Sequence, residues 1–245
     1  MTEAAEGLQA LAHRIKSLAG ASTADLIGIA PSDAFSAEEL GDLGVSFGPV
    51  RSVIVLAHRI VDPVETVRFR SGGRYQDSSI ATSFGQALLR DAGWRVVGVL
   101  RDAGYRAAIT RNQRYGADDP RHHISYKKAG VLAGLGAFGT SQLLIHPEWG
   151  PWMWLAAVVT DAPLPADGPI EFSPCTDCAR CIEACPRGAL SESGFDRAAC
   201  ESRDEAGGRA LGIMRISPLG HVNCDECMRA CPVGAVPPRF GEGVG

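Results

Sequence analysis

The sequence predicts an α+β protein of two domains. Three observations carry this. Short apolar strand-like runs alternate with amphipathic helical stretches as far as about residue 160. All eight cysteines lie after position 174, so the two ends of the chain differ in kind. Between them runs Asp161-Ala-Pro-Leu-Pro-Ala-Asp-Gly-Pro169, rich in proline and glycine and without periodicity, the composition of a boundary. At 245 residues and 45% hydrophobic content the chain is long for one average domain and can bury a real core. The expected domains are 1–168 and 169–245.

Each element has a local reason. Leu8, Leu11, Ala12, Ile15, Leu18 and Ala19 fall at helical spacing in an opening helix that ends near Gly20. Asp25-Leu-Ile-Gly-Ile-Ala30, closed by Pro31, reads as a buried strand, and residues 33–43 read as a helix. Ser52-Val-Ile-Val-Leu-Ala57, rich in β-branched residues, reads as a second core strand. Residues 71–79 are polar and contain glycine, a loop carrying Tyr75. From Ser78 to Ala103 the inner-face pattern Ala81, Phe84, Leu88, Leu89, Ala92, Val96, Leu100 predicts a long helix, weakened and open to a break at Gly93. Residues 105–110 return as a strand, 111–121 form a polar loop, and 122–133 form a helix. A glycine-rich connection, Gly134 to Gly139, leads to the apolar Leu143-Leu-Ile145. Trp154 to Thr160 is the last strand, giving an α+β or mixed sheet.

The cysteines fall in two runs. The first is Cys175-x2-Cys178-x2-Cys181-x3-Cys185-Pro186, the spacing by which bacterial ferredoxins hold iron and sulfide. The second, Cys224-x2-Cys227-x3-Cys231-Pro232, lacks the first cysteine, and Cys200 stands between them. Two-residue intervals let successive thiolates converge from one tight loop, while the cysteine before proline projects toward the other cluster. Cys175, Cys178, Cys181 and Cys231 are therefore expected to hold one 4Fe–4S cluster, and Cys185, Cys224, Cys227 and Cys200 the second. His221 occupies the place of the missing cysteine and competes with Cys200, which is preferred because all-cysteine ligation is the common case. Paired zinc sites would place cysteine pairs far apart, and a disulfide framework belongs to short secreted chains.

Charge excludes little but directs the reading. A net charge of −4 and a pI near 5.9 give no overall field for polyphosphate, so a nucleic-acid partner is not announced. The acidic start lacks signal-peptide character, and no apolar run approaches the roughly 20 residues of a membrane span. Thiols that bind clusters need a reducing compartment, which predicts a cytoplasmic protein.

Gly134, Gly136 and Gly139 match G-x-G-x-x-G, but a helix precedes them and a strand follows, the reverse of the dinucleotide-binding context. A turn needing positive φ, or a backbone approached closely by a flat cofactor, are the alternatives. Asp118 and Asp119, or Tyr75, are candidate proton donors; a solvated acidic turn and ordinary packing are the competing explanations. His122 and His123 fit a helix start better than a metal site. Arg111, Arg114, Arg121, Lys127 and Lys128 would form a basic edge or merely solvate a face. Trp149, Trp152 and Trp154 are expected in the core.

The chain resembles the epoxyqueuosine reductases and their relatives the reductive dehalogenases. The resemblance rests on Ala133-Gly-Leu-Gly-Ala-Phe-Gly139, on Leu143-Leu-Ile-His-Pro-Glu-Trp-Gly150, on Val158-Val-Thr-Asp161-Ala-Pro-Leu, and on the cysteine series with its isolated Cys200. It implies a nitroreductase-like α/β domain binding cobalamin base-off, fed with electrons by a ferredoxin-like domain. The corrinoid would sit near Gly134, Leu135, Gly136, Phe138, Gly139 and Ser141, with Asp119 or Tyr75 as the acid. Three departures stand against a full transfer. Thr140 and Ser141 replace the family's basic and polar residues after the loop, the family's catalytic acid matches Asp118 or Asp119 only out of clear register, and the sequence reads as a short form without the helical-repeat extension that helps grip tRNA.

The expected function is that of an iron–sulfur reductase passing single electrons to a cobalamin-type site, acting on a small molecule or modified nucleoside. The expected electron donor is a ferredoxin or flavodoxin; tRNA is compatible as a partner without being indicated. A ferredoxin-like carrier that docks a partner and binds no corrinoid is the alternative.

Overall fold

A computed structural model of the chain describes residues 3–40, 48–60, 69–71, 74–76, 79–110, 124–201 and 226–234. They form two compact units interleaved along the sequence. One comprises Met1–Arg59, Gln86–Ala137 and Met153–Phe172, the other Ile60–Gly85, Phe138–Trp152 and Ser173–Gly245. The second therefore gathers Phe138–Trp152 with the cysteine segment.

The first unit is built on a four-stranded sheet. Its strands are β1 (Leu26–Pro31), β2 (Ser52–Arg59), β5 (Ala107–Ile109) and β8 (Met153–Thr160), in the order β1-β2-β8-β5. All three pairings among the described residues are antiparallel. Val53 to Ala57 are wholly buried, which explains why this strand reads as a continuous apolar run. Ile54 and Leu56, with Ile27, Ile29 and Val158, join the core formed by helix α1 (Glu3–Lys16) and helix α3 (Ser79–Asp102). Helix α4 (Tyr126–Leu132) also packs on β1, β2 and β8. A Cβ on Gly28 would lie 2.2 Å from the Ala133 carbonyl oxygen, so glycine lets the end of α4 touch β1.

Helix α3 runs its 24 residues without a break at Gly93. A Cβ there would stand 3.1 Å from Ile109 Cδ1, so Gly93 permits close packing of helix on sheet rather than breaking the helix. The described part of the expected loop is strand instead: β3 (Phe69–Ser71) and β4 (Arg74–Gln76) pair antiparallel, with Tyr75 opposite Arg70. Of the helix expected at 33–43, the described residues show a 3₁₀ turn at Ser32–Ala34 followed by α2 (Ala37–Leu40), and residues 41–43 lie outside them. Ser36 and Glu39 form a reciprocal capping box: the Ser36 N–H donates to Glu39 Oε2 at 2.8 Å and the Glu39 N–H to Ser36 Oγ at 3.1 Å.

The proline-rich stretch is firmly attached to the first unit. Buried Ser52 Oγ donates to Ala162 O at 2.8 Å and accepts the Leu164 N–H at 3.0 Å. Ala162 and Leu164 lie in the core. Asp167 exchanges hydrogen bonds with Ile29, its N–H donating to Ile29 O at 2.9 Å and its Oδ2 accepting the Ile29 N–H at 2.8 Å; it also pairs with Lys16. This covers part of β1, the edge of the sheet. At the other edge, burial acts to raise the Asp161 carboxyl, but the hydrogen bonds and charge of Arg106 outweigh it and hold it below the usual carboxylate value. No helix among the described residues is long and apolar enough to cross a membrane.

Candidate cluster site

Among the described residues, one cysteine of each run lies in a one-turn helix at the equivalent position. Helix α5 (Arg180–Glu183) contains Cys181 and helix α7 (Glu226–Arg229) contains Cys227, and the two pack against each other. Each is closed by a tight turn at the cysteine preceding proline: the Cys185 N–H donates to Ile182 O at 3.1 Å, and the Cys231 N–H to Met228 O at 3.2 Å. Asp177 adopts a left-handed conformation (φ 51°) between Cys175 and Cys178, reversing the chain within the first run. The sequence repeat is thus a structural repeat.

Cys231 comes together with the first run. Burial pushes its thiol above the ordinary value, and the nearby Cys175 and Cys178 raise it further. Cys181 is raised in the same way, by burial first and then by the same two neighbours. Cys175 and Cys178 thus oppose the ionisation of both Cys181 and Cys231, which draws together the four cysteines assigned by spacing to one cluster. A polynuclear cation relieves that opposition, so the donor set suits it. Among the described residues no three metal-binding side chains converge tightly enough for a single ion. Cys224 and His221 lie outside the described residues.

Two backbone amides point at cysteine sulfurs. The Thr140 N–H donates to Cys175 Sγ at 3.4 Å, and the Ala189 N–H to Cys185 Sγ at 3.3 Å. The Arg229 guanidinium stands 5.3 Å from the centre of the buried Trp152 ring. Neither amide donor has a sequence signature, because any residue except proline supplies one. Arg229 beside Trp152 was equally hidden.

The glycine-rich connection divides in its use. Gly134 (φ 73°) and Leu135 close α4: the Gly134 N–H donates to Val131 O at 3.1 Å and the Leu135 N–H to Gly130 O at 2.9 Å, the paired bonds of a Schellman motif. A Cβ on Gly134 would lie 2.9 Å from Gly168 O, and Leu135 is buried. Gly136 is also left-handed, at φ 156°. Gly139 is tight for another reason, since a Cβ there would meet Ile145 Cγ1 at 2.9 Å and Cys175 Sγ at 3.5 Å. Phe138 is exposed and Ser141 half-buried. A helix precedes the motif, the two-residue strand β6 (Ala137–Phe138) lies within it and β7 (Leu144–Ile145) follows, which is not the strand-turn-helix context of a dinucleotide site. Trp149 and Trp152 are buried, and Trp154 packs against the core of the first unit. Tyr75 lies in β4. Asp118, Asp119, His122, His123, Arg111, Arg114 and Arg121 lie outside the described residues, while Lys128 pairs with Glu39 at 2.8 Å.

Residues 174–234 match the family model of the 4Fe-4S double cluster binding domain. That region includes all eight cysteines. Beyond it, the chain is 34% identical over 123 residues to the epoxyqueuosine reductase of Bacillus anthracis, covering 44% of this chain and 29% of that protein. It is 39% identical over 108 residues to the epoxyqueuosine reductase of a Synechococcus species, covering 41% and 31%. The match thus spans less than a third of these relatives' length. Its fold resembles epoxyqueuosine reductase from Bacillus subtilis, with a TM-score of 0.67 at 18% identity over 91% of this chain and 65% of that one. A catabolic reductive dehalogenase gives a TM-score of 0.63 at 20% identity, over 89% and 31%. The fold is mixed α/β, shared with these reductases.

Proposed function

We propose that this chain is an iron–sulfur reductase of the epoxyqueuosine reductase type, holding two 4Fe–4S clusters and a cobalamin-type cofactor and acting on a small molecule or modified nucleoside. In this reading residues 1–168 serve cofactor and substrate and residues 169–245 hold the clusters. The hydrogen bond from Thr140 N–H to Cys175 Sγ carries the proposal, because it ties the candidate cofactor loop to a ligand of the first cluster. The double-cluster match and the similarity to epoxyqueuosine reductases support it.

Cys175, Cys178, Cys181 and Cys231 would hold the first cluster, and Cys185, Cys200, Cys224 and Cys227 the second, which supply one-electron transfer when bound. The Thr140 and Ala189 amides each donate a hydrogen bond to a proposed ligand sulfur, of Cys175 and Cys185 respectively. For a corrinoid, the loop offers less than its six candidate residues suggest. Gly134 and Leu135 serve the fold, Gly136 and Gly139 supply backbone shape, and Phe138 and Ser141 retain accessible surface. A cobalamin seated there supplies low-valent cobalt as nucleophile or reductant. Asp119 and Tyr75 are the proposed proton donors, each holding a proton for the reduced product. Among the related structures, one epoxyqueuosine reductase was solved with an epoxyqueuosine-modified tRNA stem loop, which supports a modified nucleoside, carried in tRNA, as the substrate class to test first. The proposed electron donor is a ferredoxin or flavodoxin.

The test is equilibrium titration of the anaerobically reconstituted full chain with cobalamin, following the cobalt spectrum. Stoichiometric binding with a shift to the base-off form is expected. Cluster loading with no binding at high micromolar cobalamin would overturn the corrinoid part and leave an electron carrier. Stoichiometric zinc in place of iron and sulfide would overturn both.

A further inference from the structure

Between the two cysteine runs the chain folds into a small hairpin, β9 (Leu190–Ser191) and β10 (Gly194–Phe195), followed by helix α6 (Arg197–Glu201), which carries Cys200. The buried residue Ala189 bonds in two directions. Its N–H donates to Cys185 Sγ at 3.3 Å, and its carbonyl accepts the Asp196 N–H at 2.8 Å. Asp196 then starts the helix. Its Oδ1 accepts the Ala199 N–H at 2.9 Å and its carbonyl accepts the Cys200 N–H at 3.1 Å. Four hydrogen bonds therefore lead from the sulfur of Cys185 to the backbone of Cys200, and Asp196 takes part in three of them.

We propose that Asp196 is a positioning residue for the second cluster, fixing Cys200 in register with Cys185 so that the two serve one ligand set. The proposal rests on the two-cluster reading above. Its physical basis is the length of α6. Five residues make little more than one turn, which does not sustain itself, because nucleation costs more than a single turn returns. The side-chain cap is what holds such a turn in place, and Asp196, itself exposed, supplies it. Without the cap, Cys200 keeps its thiol and loses its fixed distance from Cys185.

The discriminating experiment is anaerobic iron release to a chelator from the reconstituted full chain, with the electron paramagnetic resonance of the reduced clusters recorded in parallel. In Asp196→Ala about half the iron, one cluster of two, should leave about fivefold faster than in wild type, the factor expected for a lost cap, while the other half keeps the wild-type rate. Asp196→Asn, which caps equally well, should restore the wild-type rate. Cys200→Ser should lose the same half outright, and His221→Ala should behave as wild type. Asp196→Ala releasing iron as wild type does, both halves accelerating together, no rescue by asparagine, or loss of a cluster in His221→Ala would each overturn the proposal. A wild-type chain that takes up no iron would instead overturn the cluster reading on which it rests. The Cys200 and His221 variants keep the test decisive if Asp196→Ala fails to fold.

Discussion

Gly150 and Gly234 meet backbone to backbone. A Cβ on Gly150 would fall 1.8 Å from the Val233 carbonyl oxygen, and one on Gly234 would fall 2.3 Å from the Trp149 carbonyl carbon. Both have positive φ, 63° and 78°. The turn at His146–Gly150 is thus locked to the chain just after Cys231, within the unit that also contains the Thr140 to Cys175 bond.

Gly150→Ala and Gly234→Ala should each destabilise the protein by at least about 2 kcal/mol, because left-handed strain adds to a clash with backbone that cannot move aside. Gly188 is also left-handed (φ 58°), but a Cβ there meets nothing within 4 Å. Gly188→Ala should therefore cost only the conformational term, about 1 kcal/mol. Urea denaturation of the three variants checks this; equal losses would show that the interlock contributes nothing.

Lys128 binds both oxygens of Glu39 at 2.8 Å. The hydrogen bond from Lys128 leads the causes that hold the Glu39 carboxyl below its ordinary value of 4.5. A depressed folded value means the stabilisation is fully present above pH 4.5 and is lost as the pH falls through the folded value. Both side chains are partly exposed, so about 0.5–1 kcal/mol is at stake. Lys128→Gln should lower stability by that amount at pH 7 and by less at pH 3, measured by denaturant midpoints.

Tyr126 is buried, and burial pushes its hydroxyl up to about 12 against the opposing Thr110 hydrogen bond. Its Oη donates to Thr110 O at 2.8 Å and stands 2.8 Å from Thr110 Oγ1, joining α4 to the end of β5. Its contribution is whole below pH 10 and fades as the pH rises toward 12. Tyr126→Phe should cost about 1–2 kcal/mol at pH 7. It should also remove from the ultraviolet titration a tyrosine that ionises toward pH 12.

Gly98 and Gly93 lie on the same helix with different surroundings. Gly98→Ala meets nothing within 4 Å and should stabilise by up to about 1 kcal/mol through helix propensity. Gly93→Ala places its methyl 3.1 Å from Ile109 Cδ1, and the crowding should cancel that gain. Thermal midpoints decide it: a gain at Gly93 equal to that at Gly98 would mean that Ile109 yields freely.

The sequence by itself determined the core strands and the cysteine repeat, because each depends on local pattern. Ser52 to Ala57 is apolar at every position but the first, which only a strand buried on both faces requires, and x2-x2-x3-Pro spacing belongs to a loop that turns sulfurs inward. It also announced the long helix at 79–102, although Gly93 misled by its residue type, since the reason for that glycine lies across space in Ile109. Tertiary structure decided everything that depends on backbone meeting backbone. That Gly139 and Thr140 approach Cys175, that Phe138–Trp152 belongs with the cysteines, and that Gly150 and Gly234 interlock are long-range contacts between groups every residue possesses. Main-chain amides and absent side chains leave no local mark in a sequence. The cysteines were therefore legible, while the frame that holds them was not.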